Sequence, residues 1–265
     1  MKELIDFDGQ FNEYLEQWSE EMLKKGKKPE EIEAEMPRIY EEWAKDAQKY
    51  FEELSAEELV KMLGAYMDEE CGVPDILTEK IALTAACEQL VFDMLREERS
   101  ENDKIVLMNI LADMGSSLPA EEYIRIVRRN DDEQMSDAAA EALKYMHGAE
   151  DKILQACDEE DDPAVKEKLM YALVYSEPKV KGLAQRLNAL MEESPRKAVV
   201  AGLMSYYGDE KCLDALKKAE NDKNIDYIDY VEICDAIEAL GGETARDREF
   251  NGDGYYEMVQ NGGLE

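Results

Sequence analysis

The chain has a single histidine, His147, and its five cysteines form no CxxC pair. Zinc sites draw on clustered cysteine and histidine, so no metal centre of that kind is expected. No HExxH, GxSxG or GxxxxGK[ST] run occurs, which removes the usual signatures of zinc proteases, serine hydrolases and P-loop nucleotide binding. Proline and glycine are scarce, 7 and 15 in 265 residues. Both interrupt regular helix, so their scarcity suits a helical protein. No apolar stretch reaches the roughly 18 residues of a membrane span. The opening "MKELIDFDGQF" shows no basic region followed by an apolar run, so no secretory leader is expected. Basic residues are in deficit: 31 Lys and Arg stand against 64 Asp and Glu, a net charge of -33. Such a chain repels phosphate, which argues against nucleic acid or an anionic membrane as partner.

What is present is a core-forming composition, 45% hydrophobic, which excludes global disorder. Cys71, Cys87, Cys157, Cys212 and Cys234 are odd in number and mostly lie on the apolar side of helical patterns. They read as reduced core residues of a cytoplasmic protein. The acidic excess is a solvated coat, a surface for basic partners, or a mimic of nucleic-acid charge.

The first 74 residues look helical without repeating. Phe11, Leu15, Trp18 and Met22 form one stripe, and Ile32, Met36, Ile39 and Trp43 a second, with Pro29 placed to open the second helix and Pro37 to kink or restart it. Ser55 and Glu58 have the spacing of a capping box. "CGVPD", residues 71–75, marks a boundary. Residues 77–98 are compatible with one helix or a hairpin.

From about residue 102 the pattern becomes periodic. Leu111, Leu143, Leu173, Leu203 and Ile237 recur at intervals of 32, 30, 30 and 34, with Ala139, Leu169 and Val199 one turn earlier. A second column, Ile124, Leu154, Leu183 and Leu213, recurs at 30, 29 and 30. Two apolar columns with one period mean stacked helical hairpins, each covering its neighbour's apolar face.

"DDPAVKEKLMYALVYSEPKVKGLAQRL" and "SPRKAVVAGLMSYYGDEKCLDALKKAEND" resemble HEAT repeats, in particular the short variety named after phycobilisome lyases. The resemblance rests on Asp162-Pro163 before a first helix, on small residues such as Ala172 and Gly202 within it, and on Gly208-Asp209 at the turn. It implies an all-α, α-α superhelix, a HEAT-like solenoid, and the first 74 residues read as a non-repetitive helical cap on it. The expected division is 1–74 cap, 75–245 repeats and 246–265 tail. The unit at 134–158 lacks the Asp-Pro, and the last unit has a long entry, "NDKNIDYIDY".

Such stacks bind other macromolecules, and a few belong to chromophore lyases. The expectation is a non-catalytic scaffold that holds a protein or peptide on its concave face. The alternatives are a lyase-like enzyme and an acidic mimic that binds a nucleic-acid-binding protein. No cofactor is expected. The second helices, taken as 119–130, 150–158, 178–191 and 209–219, are far less acidic than the rest of the chain. Lys152, Lys181 and Lys211 sit two residues before their aligned leucines and, with Arg125 and Arg186, form a candidate basic ladder for an acidic segment. Tyr145, Tyr175, Tyr206 and Tyr207 near the turns are candidate interface anchors or packing between repeats. In the tail "REFNGDGYYEMV", Glu249, Asn251, Asp253 and Glu257 alternate around Gly254, a weak resemblance to a calcium loop; a polar turn is the other reading. His147 beside Gly148 reads as a helix-terminal residue.

Overall fold

Ser55 shows how this chain begins its helices. Its side chain accepts from the Glu58 amide, and the Glu58 carboxylate accepts from the Ser55 amide, at 3.3 and 2.9 Å. Asp6, Ser100, Asp132, Asp162 and Asp226 likewise accept from amides of the first turn that follows. Each satisfies an amide that a helix start leaves without a partner, and an acid there also suits the helix dipole.

The computed structural model describes residues 3–69 and 72–260. Cys71 and the start of the "CGVPD" boundary lie outside the described residues. Among the described residues the secondary structure is helical and contains no strand. The chain forms two units, residues 1–118 and 119–265.

The first unit contains α1 (Phe7–Lys24), α2 (Pro29–Gln48), α3 (Ala56–Asp68), α4 (Asp75–Ala82), α5 (Glu88–Leu95) and α6 (Glu101–Asp113). Of the two expectations at Pro37, the restart does not occur: α2 is one helix through that residue. Proline removes only its own amide, and the Glu33 carbonyl it leaves is on a solvent-exposed residue. Residues 77–98 are two helices, with the Thr84 hydroxyl donating to the Lys80 carbonyl at 2.7 Å where α4 ends. The two stripes of α1 and α2 meet through aromatic rings: Phe11 lies 5.2 Å from Tyr40 and 5.0 Å from Trp43. Trp18 and Trp43 are half-buried. Helices of residues 7–68 pack on those of 75–113, α2 and α3 against α4 and α3 against α5.

The second unit contains α7 (Ala120–Arg129), α8 (Glu133–Leu143), α9 (Glu150–Asp158), α10 (Pro163–Val174), α11 (Ala184–Glu193), α12 (Lys197–Tyr207), α13 (Leu213–Glu220) after a single 3-10 turn (Glu210–Cys212), α14 (Tyr227–Ala239) and α15 (Gly254–Gln260). α8, α10, α12 and α14 pack in succession, and α7, α9, α11 and α13 pack beside them. Leu143, Leu173, Leu203 and Ile237 are all buried along that row, each contributing about 1.5–3 kcal/mol. Asp162 caps α10 and Pro163 is its first residue; Gly208 ends α12 at φ 76°, a left-handed value that glycine adopts without strain.

Three expectations need correction. The second column holds at Ile124 and Leu183, which are buried, and is offset at its other two members: Ile153 and Cys212 are buried, whereas Leu154 and Leu213 are half-buried. Adjacent apolar residues left the phase open, and the partners one turn later, Cys157 and Leu216, fix it. Val199 is exposed and Val200 is buried in its place. The third second-row helix starts at Ala184, not at 178, so Lys181 lies in the connection. Pro178 disfavours helix at the residue before it, and Gly182 takes φ 82°.

The tail closes one end of this unit. Phe250 is buried against Tyr227, Tyr230 and Tyr256. Arg248 donates to the carbonyls of Glu220 and Asp222, where α13 ends, a favourable place for a cation.

Candidate functional site

Side by side, α8, α10 and α12 leave a groove of about 470 Å³ on their outer face. The helical period brings residues about thirty apart in sequence to the same level. On α8, Glu133, Asp137 and Glu141 recur every four residues, which places them on one helix face. On α10 the groove takes Glu167, Lys168 and Tyr171, and on α12 it takes Val199 and Leu203, with Arg196 just before that helix.

Most of the charges in the groove are tied to one another. Lys168 lies 2.7 Å from Asp137 and donates to Asn130 Oδ1 at 3.1 Å. Glu167, only 2% exposed, is ion-paired to Arg196 and accepts from the Ser194 hydroxyl. Tyr171 donates to Glu141, and Lys144 is ion-paired to it. Burial would raise the Glu141 carboxyl, but its bonds to Lys144 and Tyr171 outweigh that and hold it below the ordinary glutamate value. Burial likewise works against the Lys144 ammonium, and its bonds to Glu141 and Tyr145 more than offset the effect. Beyond Tyr171 the aromatic rings continue: Tyr175 is 4.7 Å away and stacks on Tyr206 at 3.9 Å. Tyr145 and Tyr206 keep an exposed face. Tyr207 instead accepts from the Leu183 amide at 3.1 Å and joins two hairpins.

The candidate basic ladder is distributed differently. Lys152, in the first turn of α9, is 2.7 Å from Glu121 of α7. Arg186 of α11 donates twice to Asp158 of α9, at 2.7 and 2.6 Å. Arg125 is paired with Glu122 of its own helix. Lys211 lies in the 3-10 turn before α13, 3.9 Å from Asp209. Lys181 is exposed in the α10–α11 connection and makes no ion pair among the described residues. Three of the five cations are thus bonded at close range to neighbouring acids. The Arg186 bonds hold the Asp158 carboxyl below its usual range.

The carboxylates of the tail candidate accept from donors of the tail itself and of α14. Asp253 accepts from the amides of Tyr227, Tyr255 and Tyr256, so its carboxylate starts α15 and joins it to α14. Glu257 accepts from the Gly252 amide, and Glu249 from the Asn251 side chain. Among the described residues no group of three His, Cys, Asp or Glu side chains is placed to hold a metal ion.

His147 is exposed in the turn between α8 and α9, past the end of α8. Burial pushes the thiols of Cys87, Cys157 and Cys212 up to about 11, and it raises that of Cys234. At neutral pH these thiols stay protonated and are poor nucleophiles.

The charge pattern of the sequence points to the less acidic second helices and not to this groove. The signal that could have found it was there: Glu133, Asp137 and Glu141 at spacing four, with Tyr171 one repeat beyond Glu141. No family model, curated protein or solved structure matches the chain.

Proposed function

We propose that the second unit is a HEAT-like stack that holds a segment of a partner protein and performs no chemistry of its own. In this reading the repeats run over residues 75–245, with the second unit holding those from 119 onward; residues 1–74 cover the helices of 75–113, and the tail that begins at 246 packs on α14. The observation that carries it is the groove across α8, α10 and α12. Three successive repeats contribute to it, and it combines an apolar floor, Val199 and Leu203, with polar side chains held in fixed positions. Binding surfaces join such anchors to a preorganised polar rim. Protonated, buried thiols and charges already tied in pairs support a binding role over a nucleophilic one.

Selection of a displayed peptide library on the full chain tests this, with the Val199→Lys variant as the counter-target. The expected result is a set of peptides that bind the native chain and lose affinity for the variant. Peptides that bind both equally, or none at all, contradict the proposal.

A further inference from the structure

The groove has a mixed chemistry. Its floor is apolar and includes Val199, 43% exposed, together with Ala138, Leu203 and the ring of Tyr171. One wall is acidic: Glu133, Asp137 and Glu141 rise along α8. Four carboxylates and two cations line the space. The two cations, Lys168 and Arg196, are committed to Asp137 and Glu167.

Capacity for further cations remains on the acidic wall. Glu133 is exposed and forms no ion pair among the described residues. Asp137 engages Lys168 through Oδ1 alone, and its side chain is 60% exposed. A carboxylate has about four acceptor positions, so these groups can take further donors without releasing the ones they hold.

An apolar peptide would bury these carboxylates away from water without a partner, which is costly. An acidic peptide would face the wall and the field of a chain carrying -33. A lysine or arginine side chain fits both halves of the site: its methylene stem covers apolar surface while its charged head stays with polar groups. An arginine can also address a carboxylate through two parallel bonds.

We propose that the groove of α8, α10 and α12 docks a segment of a partner protein rich in arginine and lysine, with the stems over Val199 and Leu203 and the cationic heads on Glu133, Asp137 and Glu141. The inference rests on the binding role proposed above and specifies its partner. The acidic surface around the groove would speed encounter, and binding would weaken as salt screens it.

The test is titration of a fluorescein-labelled oligoarginine peptide with the full-length chain, followed by anisotropy. An acidic protein attracts any polycation, so the comparison is between two variants with the same change in net charge. Glu133→Lys with Val199→Lys alters the groove. Glu210→Lys with Asp214→Asn alters exposed positions around the start of α13. The groove pair should weaken binding at least about fivefold more than the control pair. Equal weakening by both pairs overturns the proposal, because attraction would then belong to the acidic coat. Glu133→Gln, a mild change at an exposed helix start, should lower affinity in the same direction even if the double variant folds poorly; no change there also overturns it. If library selection yields groove-dependent peptides without basic residues, the binding module stands and the basic partner is wrong.

Discussion

The Tyr171 hydroxyl donates to Glu141 Oε2 at 2.5 Å, and the two residues are 30 apart in the chain. The separation is one repeat, so α10 is bonded to α8 at equivalent levels of successive hairpins. The pairs Lys152–Glu121 and Arg186–Asp158 repeat the arrangement between second helices, at separations of 31 and 28. The stack is therefore periodic in its polar ties as well as in its apolar columns. Tyr171→Phe removes one such tie and keeps the ring. It should lower stability by about 0.5–1.5 kcal/mol in denaturant unfolding, and a loss near zero would mean that the bond does not persist in solution.

The register of the second row gives a sharper check. Ile153 is buried and Leu154 is half-buried. Ile153→Ala should cost about 2–5 kcal/mol and Leu154→Ala distinctly less. The reverse order would restore the column read from spacing alone.

That comparison shows what was legible in the sequence. In the first row, Leu143 and Leu173 lie on helices whose small neighbours, Ala139 and Ala172, are buried on the same side, and the thirty-residue interval aligns Leu203 with them. Elsewhere Ile153 and Leu154, or Val199 and Val200, stand side by side, and apolar character alone does not choose between them. Packing against residues from other repeats decides. The same limit applied to the ladder. Lys152, Lys181 and Lys211 share a phase in the sequence, but Pro178 and Gly182 keep Lys181 out of the helix, and acids a repeat away engage Lys152 and Arg186. The helical class and the succession of packed helices were readable from local pattern; the groove was not, because it depends on which faces of α8, α10 and α12 remain uncovered.

The Arg186–Asp158 tie should be visible in the pH dependence of stability. The arginine holds the aspartate below its ordinary value of 3.8, so the folded chain binds that proton less readily than the unfolded chain. The contribution is therefore complete at neutral pH and is lost as pH falls through the folded value. Both side chains are more than a third exposed, which limits the effect to about 0.5–1 kcal/mol at low salt. The stability gap between the native chain and Arg186→Gln should be of that size at neutral pH and close under acid conditions. A gap independent of pH would show that Arg186 acts only through packing.

Burial of the thiols predicts resistance to alkylation. In a Cys71→Ser background, Cys87, Cys157, Cys212 and Cys234 should react slowly with iodoacetamide in the native chain at neutral pH and promptly once it is unfolded. Prompt reaction of Cys157 in the native chain would place it in an open, activating environment and weaken the non-catalytic reading.

The most direct test of groove binding is methyl NMR of the full chain titrated with a groove-selected peptide. The groove predicts that the methyl signals of Ala138, Val199 and Leu203 shift together and saturate at one affinity, while those of Ala189 and Leu190, beside the cleft between α9 and α11, stay in place. Shifts confined to Ala189 and Leu190 would put the binding surface on the second helices and contradict the assignment.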